Sequence, residues 1–300
     1  MRISEISHLV NVKVLHDGDF NSLGLLSHNA DKMLVTLYDS AYLNQVLANP
    51  HITCVITTPE IALDLPDNLA IAVCDDPQTA FYQIHKYLFT KTNFYWDDFD
   101  SEISPEATVH ERAYVAPKNV RIGNGSIVEP NAVIQERSII GNNVTIRAGV
   151  VIGGEGFEPK YVDGRQIIFP HAGGVLIHDG VEIQANSHIA RSVFGSFTEI
   201  GEDTKVDALV HIGHNVRIGS RCNICALVAI AGSTVIGDDV FIGGQSGILP
   251  ELSIGNNAFI GTRSHIRKNV PDYAVMIGDP ARFVRWLNGH KPEESKQNAE

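Results

Sequence analysis

The sequence predicts a mainly β protein: a parallel β-helix with a small N-terminal α/β domain and a short C-terminal helical tail. Three observations lead to this prediction. Ile, Val or Phe recurs every six residues, the recurrence runs without a gap from Phe194 to Ile266, and the first hundred residues lack it. Helices repeat every 3.6 residues and strands every two, so neither explains a period of six. Six-residue units that each bury one apolar residue against their neighbours are typical of a β-helix.

The repeat covers most of residues 101–269. Three hexads make a triangular coil of about 18 residues, and coils stack at the strand spacing of about 4.8 Å, so about eight coils are expected. Gly often follows the apolar residue, as in Ile218-Gly219 and Ile236-Gly237. We expect Gly there because it tolerates the positive φ of a tight corner. The segments in step are Ile103–Val115, Ile122–Ile152, Ile177–Ile189 and Phe194–Ile266.

Residues 153–176 interrupt the rhythm over a stretch that is too long for a corner. Long loops in compact folds are usually functional or disordered. This one carries Phe157, Tyr161 and Phe169, and the aromatic content predicts an ordered loop over a binding cleft. The alternative is an insertion that the fold merely tolerates.

The two ends of the chain lie outside the repeat. Residues 1–100 are predicted to form a small α/β domain, and residues 270–300 a turn at Val270–Asp272, a helix-like stretch and a disordered polar tail. The predicted strands are Met33–Leu37, Cys54–Thr57 and Leu69–Cys74. The predicted helical segments are Ser40–Ala48, Pro77–Phe89 and Pro280–Leu287, the linker is Asn93–Glu102, and the tail is Lys291–Glu300.

Composition narrows the class of protein. The net charge of −12 argues against nucleic acid as a partner. The sequence has no apolar run long enough to span a membrane, and its first residues lack the basic and apolar regions of a signal peptide. Its four cysteines form no disulfide framework, and we expect Cys222 and Cys225 to be reduced structural thiols. These features predict a cytoplasmic protein without a membrane span.

Polar residues that interrupt the repeat are the catalytic candidates. The densest group lies in Val206–Ile218 and contains Asp207, His211, His214 and Asn215. His214, two residues after a buried position, is the candidate general base, and Asp207 is the candidate orienter of its imidazole. Gly232 lies one coil later, where its N–H would face an oxyanion. A base, an orienter and a donor one coil apart suit acyl transfer; the alternative is surface histidines on a polar corner.

A metal site is the rival explanation for a chain with 13 histidines. The histidines of the repeat region do not follow a ligand spacing of the helical or finger type, so we predict no metal. These histidines are His171, His178, His188, His211 and His214.

The same residues carry a family resemblance over roughly residues 10–285. The chain resembles the UDP-3-O-(3-hydroxyacyl)glucosamine N-acyltransferases of lipid A synthesis. The matching stretches are Gly153–Phe157, Gly174–Ile177, Val181–Asn186, Asp207, Ile212–Gly219 and Ile230–Ser233. The resemblance implies a left-handed β-helix, nucleotide-sugar binding by the domain of residues 1–100, a homotrimer with active sites in the grooves between chains, and no permanently bound cofactor. It implies His214 as base, Asp207 as its orienter and Gly232 as oxyanion donor, with Glu155, Phe157, His188 and Asn215 as substrate-binding positions.

The chain departs from the family pattern at several positions. The aromatic, Asn and Tyr that hold the uracil ring in the family align with Thr36, Asp39 and Tyr42, so only the Tyr is kept. A second family His aligns with Glu251. The family's Asp-Arg pair aligns with Ala190-Arg191, and the stretch Ile277–Arg282 is similar to the end of acetyltransferases that use coenzyme A.

These observations predict an N-acyltransferase of a nucleotide-linked amino sugar. One donor hypothesis is a hydroxyacyl group on acyl carrier protein, and the other is acetyl-coenzyme A. Both donors are anionic and suit a basic C-terminal cluster: Arg263, Arg267, Lys268, Arg282 and Arg285. From other classes, a non-catalytic scaffold predicts no effect of His214→Ala, and a carbonic-anhydrase-like enzyme predicts stoichiometric zinc.

Overall fold

A computed structural model describes residues 1–162 and 164–287 and divides the chain into two compact units. The first unit comprises Met1–Asp97, Phe157–Ala172 and Val193–Ser196. The second comprises Asp98–Gly156, Gly173–Ser192 and the chain from Phe197 onward. The predicted fold class is confirmed, since the second unit is a left-handed parallel β-helix. The first unit differs from the predicted domain of residues 1–100 because two later segments join it.

The first unit is a five-stranded sheet with helices. Its strands are β1 Lys13–His16, β2 Ser22–Leu23, β3 Met33–Leu37, β4 Ile52–Thr57 and β5 Ala70–Val73, in the order β1-β5-β4-β3-β2. Its helices are α1 Ile3–Ile6, α2 Leu43–Ala48, α3 Pro59–Ala62 and α4 Pro77–Lys91, with 3₁₀ turns at Ser7–Leu9 and Ser40–Tyr42. The predicted strands and helices of this region are therefore confirmed. Asp76 caps α4 by accepting a hydrogen bond from Thr79 N, and Pro77 opens the helix.

The long insertion is ordered within the first unit. It forms an antiparallel hairpin of Pro159–Val162 with Arg165–Ile168. Its Phe169 packs parallel to His85 of α4, with ring centroids 4.6 Å apart, and the fully buried His85 imidazole contacts Pro170 O at 2.8 Å. Aromatic packing and this hydrogen bond together fix the loop.

Phe194 belongs to the same aromatic core and not to the β-helix. Its ring lies 5.9 Å from Phe81 and 5.3 Å from His85. The prediction that Phe194 fills a hexad position was therefore wrong: it keeps the spacing by coincidence, and the run begins at Ile200. The predicted linker also starts too early, because Phe94 and Tyr95 pack against this core, where Tyr95 Oη contacts His85 Nδ1 at 2.7 Å.

The β-helix has three faces, named in chain order. The first face has eight strands: Glu102–Ile103, Val120–Ile122, Ser138–Ile140, Gly174–Ile177, Phe197–Ile200, Arg217–Ile218, Val235–Ile236 and Ser253–Ile254. The second face has ten: Thr108–Val109, Ile127–Val128, Thr145–Ile146, Glu182–Ile183, Lys205–Val206, Asn223–Ile224, Phe241–Ile242, Phe259–Ile260, Ala274–Gly278 and Ala281–Trp286. The third face has eight: Tyr114–Val115, Val133–Ile134, Val151–Gly154, His188–Ala190, His211–Ile212, Ala229–Ile230, Gly247–Ile248 and His265–Ile266.

Stacking of the coils follows the predicted register. His211 pairs with Ala229, eighteen residues later, and the buried Ile212 stacks on Ile230. Eight strands on the third face correspond to the eight coils expected from the hexads. One continuous column of buried Ile and Val side chains therefore forms the core of this unit.

Glycine has a different role at the corners from the one predicted. The positive φ falls three residues after the buried Ile, at residues such as Asn215 with φ 58°. The Gly directly after the Ile is needed for close stacking, because a Cβ at Gly201 would lie 2.5 Å from the carbonyl carbon of Gly219. The explanation from backbone freedom was therefore wrong at these positions. Coil-to-coil contact excludes a side chain there.

The C-terminal helix prediction was also wrong. Ala281–Trp286 is a strand that pairs antiparallel with Ala274–Gly278 and closes the second face. Its sequence, ARFVRW, carries the β-branched and aromatic residues that favour strands, and the open edge of the sheet supplies hydrogen-bond partners. The predicted tail Lys291–Glu300 lies outside the described residues.

Two smaller expectations concern cysteine and membrane spans. Cys54, Cys74, Cys222 and Cys225 are free thiols, and Cys222 is buried with Sγ 3.1 Å from Gly237 O. Within residues 1–162 and 164–287, the helices are too short or too polar to cross a membrane.

Candidate active site

The polar candidates lie along one corner of the β-helix. We call the corner between the third face and the next first-face strand the ridge. Each coil adds two residues to it, at the second and third positions after a buried third-face residue. Its members are Glu136-Arg137, Gly154-Glu155, Arg191-Ser192, His214-Asn215, Gly232-Ser233, Pro250-Glu251 and Lys268-Asn269. Adjacent coils are about 4.8 Å apart, so the number of coils between two ridge residues gives their separation along the helix axis.

His214 is held on the ridge with a defined ring orientation. Its side chain is 8% exposed. Nδ1 lies 3.2 Å from Asn215 Oδ1, while Asn215 Nδ2 donates to Ser192 Oγ at 2.7 Å. The amide oxygen therefore faces the imidazole and accepts a hydrogen bond from Nδ1–H. This assignment makes Nε2 the basic nitrogen.

Gly232 is directly beneath the His214 ring. A Cβ at position 232 would lie 2.5 Å from Nε2 and 2.9 Å from Nδ1 of His214, so any side chain here would collide with the imidazole. Gly213 is restricted in the same way, because a Cβ at position 213 would lie only 2.8 Å from the backbone nitrogen of Gly232. The two glycines keep space around both the base and the amide one coil below it. A site for proton transfer beside a backbone donor follows from this geometry.

Asp207 does not orient His214 within one chain. It follows a second-face strand and so lies at a different corner from the ridge. Its Oδ1 accepts from Ala208 N at 2.7 Å and its Oδ2 from Ala226 N at 3.1 Å. The carboxylate thus joins two coils at its own corner. The expected pairing is corrected: Asn215 is the residue that contacts Nδ1 of His214.

Two further histidines stack beside the ridge on the third face. The rings of His188 and His211 are nearly parallel, with centroids 5.3 Å apart. Burial lowers the pKa of both, and the neighbouring His211 lowers the pKa of His188 further. A Cβ at Gly154 would overlap His188 Nε2. His188, predicted to bind substrate, is therefore part of the wall next to His214.

Two arginines, Arg191 and Arg137, also lie on the ridge. Arg191 aligns with the Arg of the family's Asp-Arg pair, and no motif marks Arg137. Arg191 is two residues after buried Ile189, as His214 is after Ile212, so its place on the ridge can be counted from the sequence. Arg191 Nε donates to Gly153 O at 2.6 Å. Glu155, predicted to bind substrate, is exposed on the ridge between them.

The predicted nucleotide-binding positions are in the first unit. Thr36 is in β3, with a buried Oγ1 that has no hydrogen-bond partner in the described residues. Asp39 accepts from Ala41 N at 2.8 Å and so caps the 3₁₀ turn that follows. Tyr42 is 41% exposed, with its ring 6.4 Å from that of Tyr38. Phe157 is 76% exposed.

The predicted donor-binding residues are spread over two corners and one face. Arg267 and Lys268 follow the last third-face strand and extend the ridge, three coils beyond His214. Arg263 is at the corner after the second face, and Arg282 is in the last second-face strand. Glu251 lies on the ridge two coils beyond His214, with its N–H bonded to Gly232 O at 3.0 Å.

In the described part of the chain, no group of three or more His, Cys, Asp or Glu side chains is arranged to hold a metal ion.

Comparison with known proteins places this geometry in a family. A family profile described as bacterial transferase hexapeptide (six repeats) matches residues 119–154, 197–232 and 233–268. A UDP-N-acetylglucosamine acyltransferase crystal structure aligns with a TM-score of 0.52 and 27% identity, covering 62% of this chain and 72% of that one. The Francisella novicida UDP-N-acetylglucosamine acyltransferase aligns with a TM-score of 0.53 at 24% identity, over 63% and 69% of the two chains. The latter likeness supports the fold alone.

Sequence relatives decide which family it is. The UDP-3-O-acylglucosamine N-acyltransferase 2 of Nitrobacter winogradskyi is 32% identical over 256 residues, which cover 73% of this chain and 72% of the relative. The chain belongs to the UDP-3-O-acylglucosamine N-acyltransferase family. A family member from Caulobacter vibrioides is 52% identical over 158 residues, 52% of this chain. That match spans about half the length of the relative, 46%.

Proposed function

We propose that the protein transfers an acyl group from a thioester to the amino group of a nucleotide-linked amino sugar. The observation that carries the proposal is the His214 imidazole, oriented by Asn215 and seated over Gly232. Family membership adds support, since the relatives are named UDP-3-O-acylglucosamine N-acyltransferases. The acceptor class follows from those names, and no resident cofactor is required for this chemistry.

The reaction needs a neutral amine. In the proposed mechanism His214 Nε2 takes a proton as the amine nitrogen attacks the thioester carbon, an effect worth roughly 10²–10⁴-fold. The carbonyl oxygen becomes an oxyanion that accepts a hydrogen bond from Gly232 N–H. Collapse of the tetrahedral intermediate breaks the C–S bond, and the proton on His214 passes to the leaving thiolate. Binding both substrates along one ridge supplies proximity.

The donor is proposed to enter from the C-terminal end of the ridge. Arg267 and Lys268 are exposed there, about 14 Å from His214 at three coil spacings. Both candidate donors, acyl carrier protein and coenzyme A, are anionic and suit these cations. A 3-hydroxyacyl group on acyl carrier protein is the first choice, and acetyl-coenzyme A is the alternative. Tyr42 is proposed to contact the nucleotide base, with Thr36 and Asp39 making that pocket different from a uridine site.

A direct assay tests the proposal. Purified protein is incubated with a uridine- or thymidine-diphosphate amino sugar and with one of the two donors, a 3-hydroxyacyl group on acyl carrier protein or acetyl-coenzyme A. The masses of the products are then measured by mass spectrometry. We expect an N-acylated nucleotide sugar from one donor class. Absence of product from every pair, with a folded protein, would contradict acyl transfer. Stoichiometric zinc in the purified protein would instead favour the metal enzyme.

We also propose that the protein works as a cytoplasmic homotrimer. The motivation is the family resemblance, in which sites lie in grooves between chains, and Asp207, which lies at a corner away from His214. Light scattering is expected to give three times the chain mass of 32.7 kDa. A monomer mass in dilute native buffer would be incompatible with this assembly.

A further inference from the structure

The antiparallel hairpin that ends the second face exposes apolar side chains. We call Ala274–Gly278 and Ala281–Trp286 together the C-terminal hairpin. In its last strand the four consecutive residues 282–285 are all exposed, with Phe283 at 50% and Val284 at 53%. In the neighbouring strand Ile277 is 46% exposed. Successive side chains of a strand point to opposite faces, so both faces of this edge are open to solvent.

The charge around the C-terminal hairpin is opposite to that of the whole chain. Residues 263–287 contain two aspartates, no glutamate and five exposed basic residues, which are Arg263, Arg267, Lys268, Arg282 and Arg285. Asp279 is 3.5 Å from His265, and Asp272 accepts a hydrogen bond from Asn256 N at 2.7 Å. The complete chain has a net charge of −12. This end of the β-helix is therefore locally positive and suits a negatively charged partner surface.

The backbone of the hairpin disfavours another strand as that partner. Phe283 pairs with Met276 and Arg285 with Val275, so Val284 is an extra residue in the ladder, a β-bulge. A bulge and charged side chains on an edge strand hinder the addition of a further strand. Protection of the edge accounts for the arginines. It does not account for the exposed Phe and Val, because polar side chains would protect the edge better.

The position of the hairpin separates it from the candidate active site. The ridge is the corner where the third and first faces meet, so the second face is on the opposite side of the triangular coil. Arg282 and Arg285 are in the last strand of that face and do not line the ridge of their own chain. The exposed apolar and basic side chains of the hairpin are therefore available for a second role.

We propose that the C-terminal hairpin attaches the protein to the surface of an anionic lipid bilayer. Phe283 and Val284 enter the boundary between head groups and acyl chains, and the two arginines contact lipid phosphates. The ring of Trp286, 4.9 Å from that of Phe283, is suited to the same boundary. A fluid lipid surface can surround both open faces of the edge, whereas a folded protein surface covers one. This attachment is independent of acyl transfer.

Flotation of the complete protein with vesicles tests the attachment. We expect binding to vesicles of phosphatidylethanolamine and phosphatidylglycerol, weakening as salt rises, and no binding to phosphatidylcholine vesicles. Phe283→Ser should weaken binding roughly tenfold through lost apolar burial. Arg282→Gln and Arg285→Gln should each weaken it roughly fivefold, the usual effect of one basic residue at an anionic bilayer.

Two exposed positions far from the hairpin supply matched controls. Ile127→Ser changes a residue that is 43% exposed near the other end of the second face. Arg121→Gln removes an exposed ion pair with Glu102 in the first two coils. Both variants should bind vesicles as the wild type does. A thermal melt of every variant separates lost binding from lost folding.

Tryptophan fluorescence shows which part of the chain meets the lipid. The chain has two tryptophans, Trp286 in the hairpin and Trp96 in the first unit. Anionic vesicles should shift the emission to shorter wavelength, and Trp286→Phe should abolish that shift. No binding to anionic vesicles at low salt, equal binding to neutral ones, or full binding by the Ser and Gln variants would each overturn the proposal. Hairpin variants that weaken binding of acyl carrier protein, with vesicles left unbound by the wild type, would assign the surface to an acidic protein instead.

Discussion

Replacing His214 by Ala is expected to lower turnover by roughly 10²–10⁴-fold, the usual contribution of a general base. The acceptor KM should change little, because the imidazole acts on the proton of the attacking amine. The fold should persist, since the ring points along the ridge and the buried Ile column is untouched. Loss of the Nδ1 hydrogen bond to Asn215 should cost about 1 kcal/mol. Steady-state kinetics and a thermal melt on the same preparation measure both effects.

His110→Ala is a suitable control for this substitution. His110 follows a second-face strand, away from the ridge, and its Nδ1 accepts a hydrogen bond from Arg112 N at 3.1 Å. Its loss should leave turnover unchanged. If His214→Ala keeps activity within about threefold of wild type, the base is a different residue. The stacked His211 would then be the next candidate.

Gly232→Val is expected to abolish acyl transfer, by roughly 10²-fold or more, in a protein that still folds. A Cβ at this position would lie 2.5 Å from Nε2 of His214, so the ring must swing away from the reacting amine. The branched side chain would also crowd the amide that faces the oxyanion. The backbone of Gly232 does not adopt a positive φ, so an L-residue introduces no backbone strain. Turnover and the melting temperature are measured together.

Gly244 offers a matched position for the glycine test. It occupies the corresponding place at another corner, where a Cβ would lie 3.1 Å from Ala226 O and 3.9 Å from Cys225 Cβ, away from His214. Gly232→Ala should lower activity and Gly244→Ala should not. Full activity in a folded Gly232→Val protein would mean that the reacting centre does not lie between these coils.

The position of the candidate base relative to Gly232 could be predicted because each coil of the repeat contains a fixed number of residues, about 18. His214 and Gly232 differ by one coil of about 18 residues, and no insertion falls between them, so spacing alone brought them together. Asp207 could not be placed in the same way. A difference of seven residues moves the chain around a corner, so Asp207 follows the second-face strand Lys205–Val206 while His214 follows the third-face strand His211–Ile212. Residue spacing therefore predicts which residues stack along the helix axis. It does not predict which residues share a corner unless the positions of the corners are known.

Insertions limited how far positions could be counted along the repeat. Between Arg137 and Arg191 the chain leaves the β-helix for a segment that belongs to the first unit, so residue numbers alone do not give the number of coils between them. A second such segment, Val193–Ser196, explains why Phe194 was wrongly assigned to the repeat: it keeps the six-residue spacing, yet its ring packs against Phe81 and His85. Aromatic packing decides membership of a core, and periodicity alone does not report it.

The sequence by itself determined the β-helix, its eight coils and the position of His214 over Gly232, because each hexad contacts only the coils next to it and the geometry repeats. The tertiary structure decided the rest. It placed the inserted loop in the first unit and gave Asn215 the contact to His214. It also turned the predicted C-terminal helix into a strand, because the open edge of the second face offered hydrogen bonds to it. Such contacts join residues distant in sequence, and no local period encodes them.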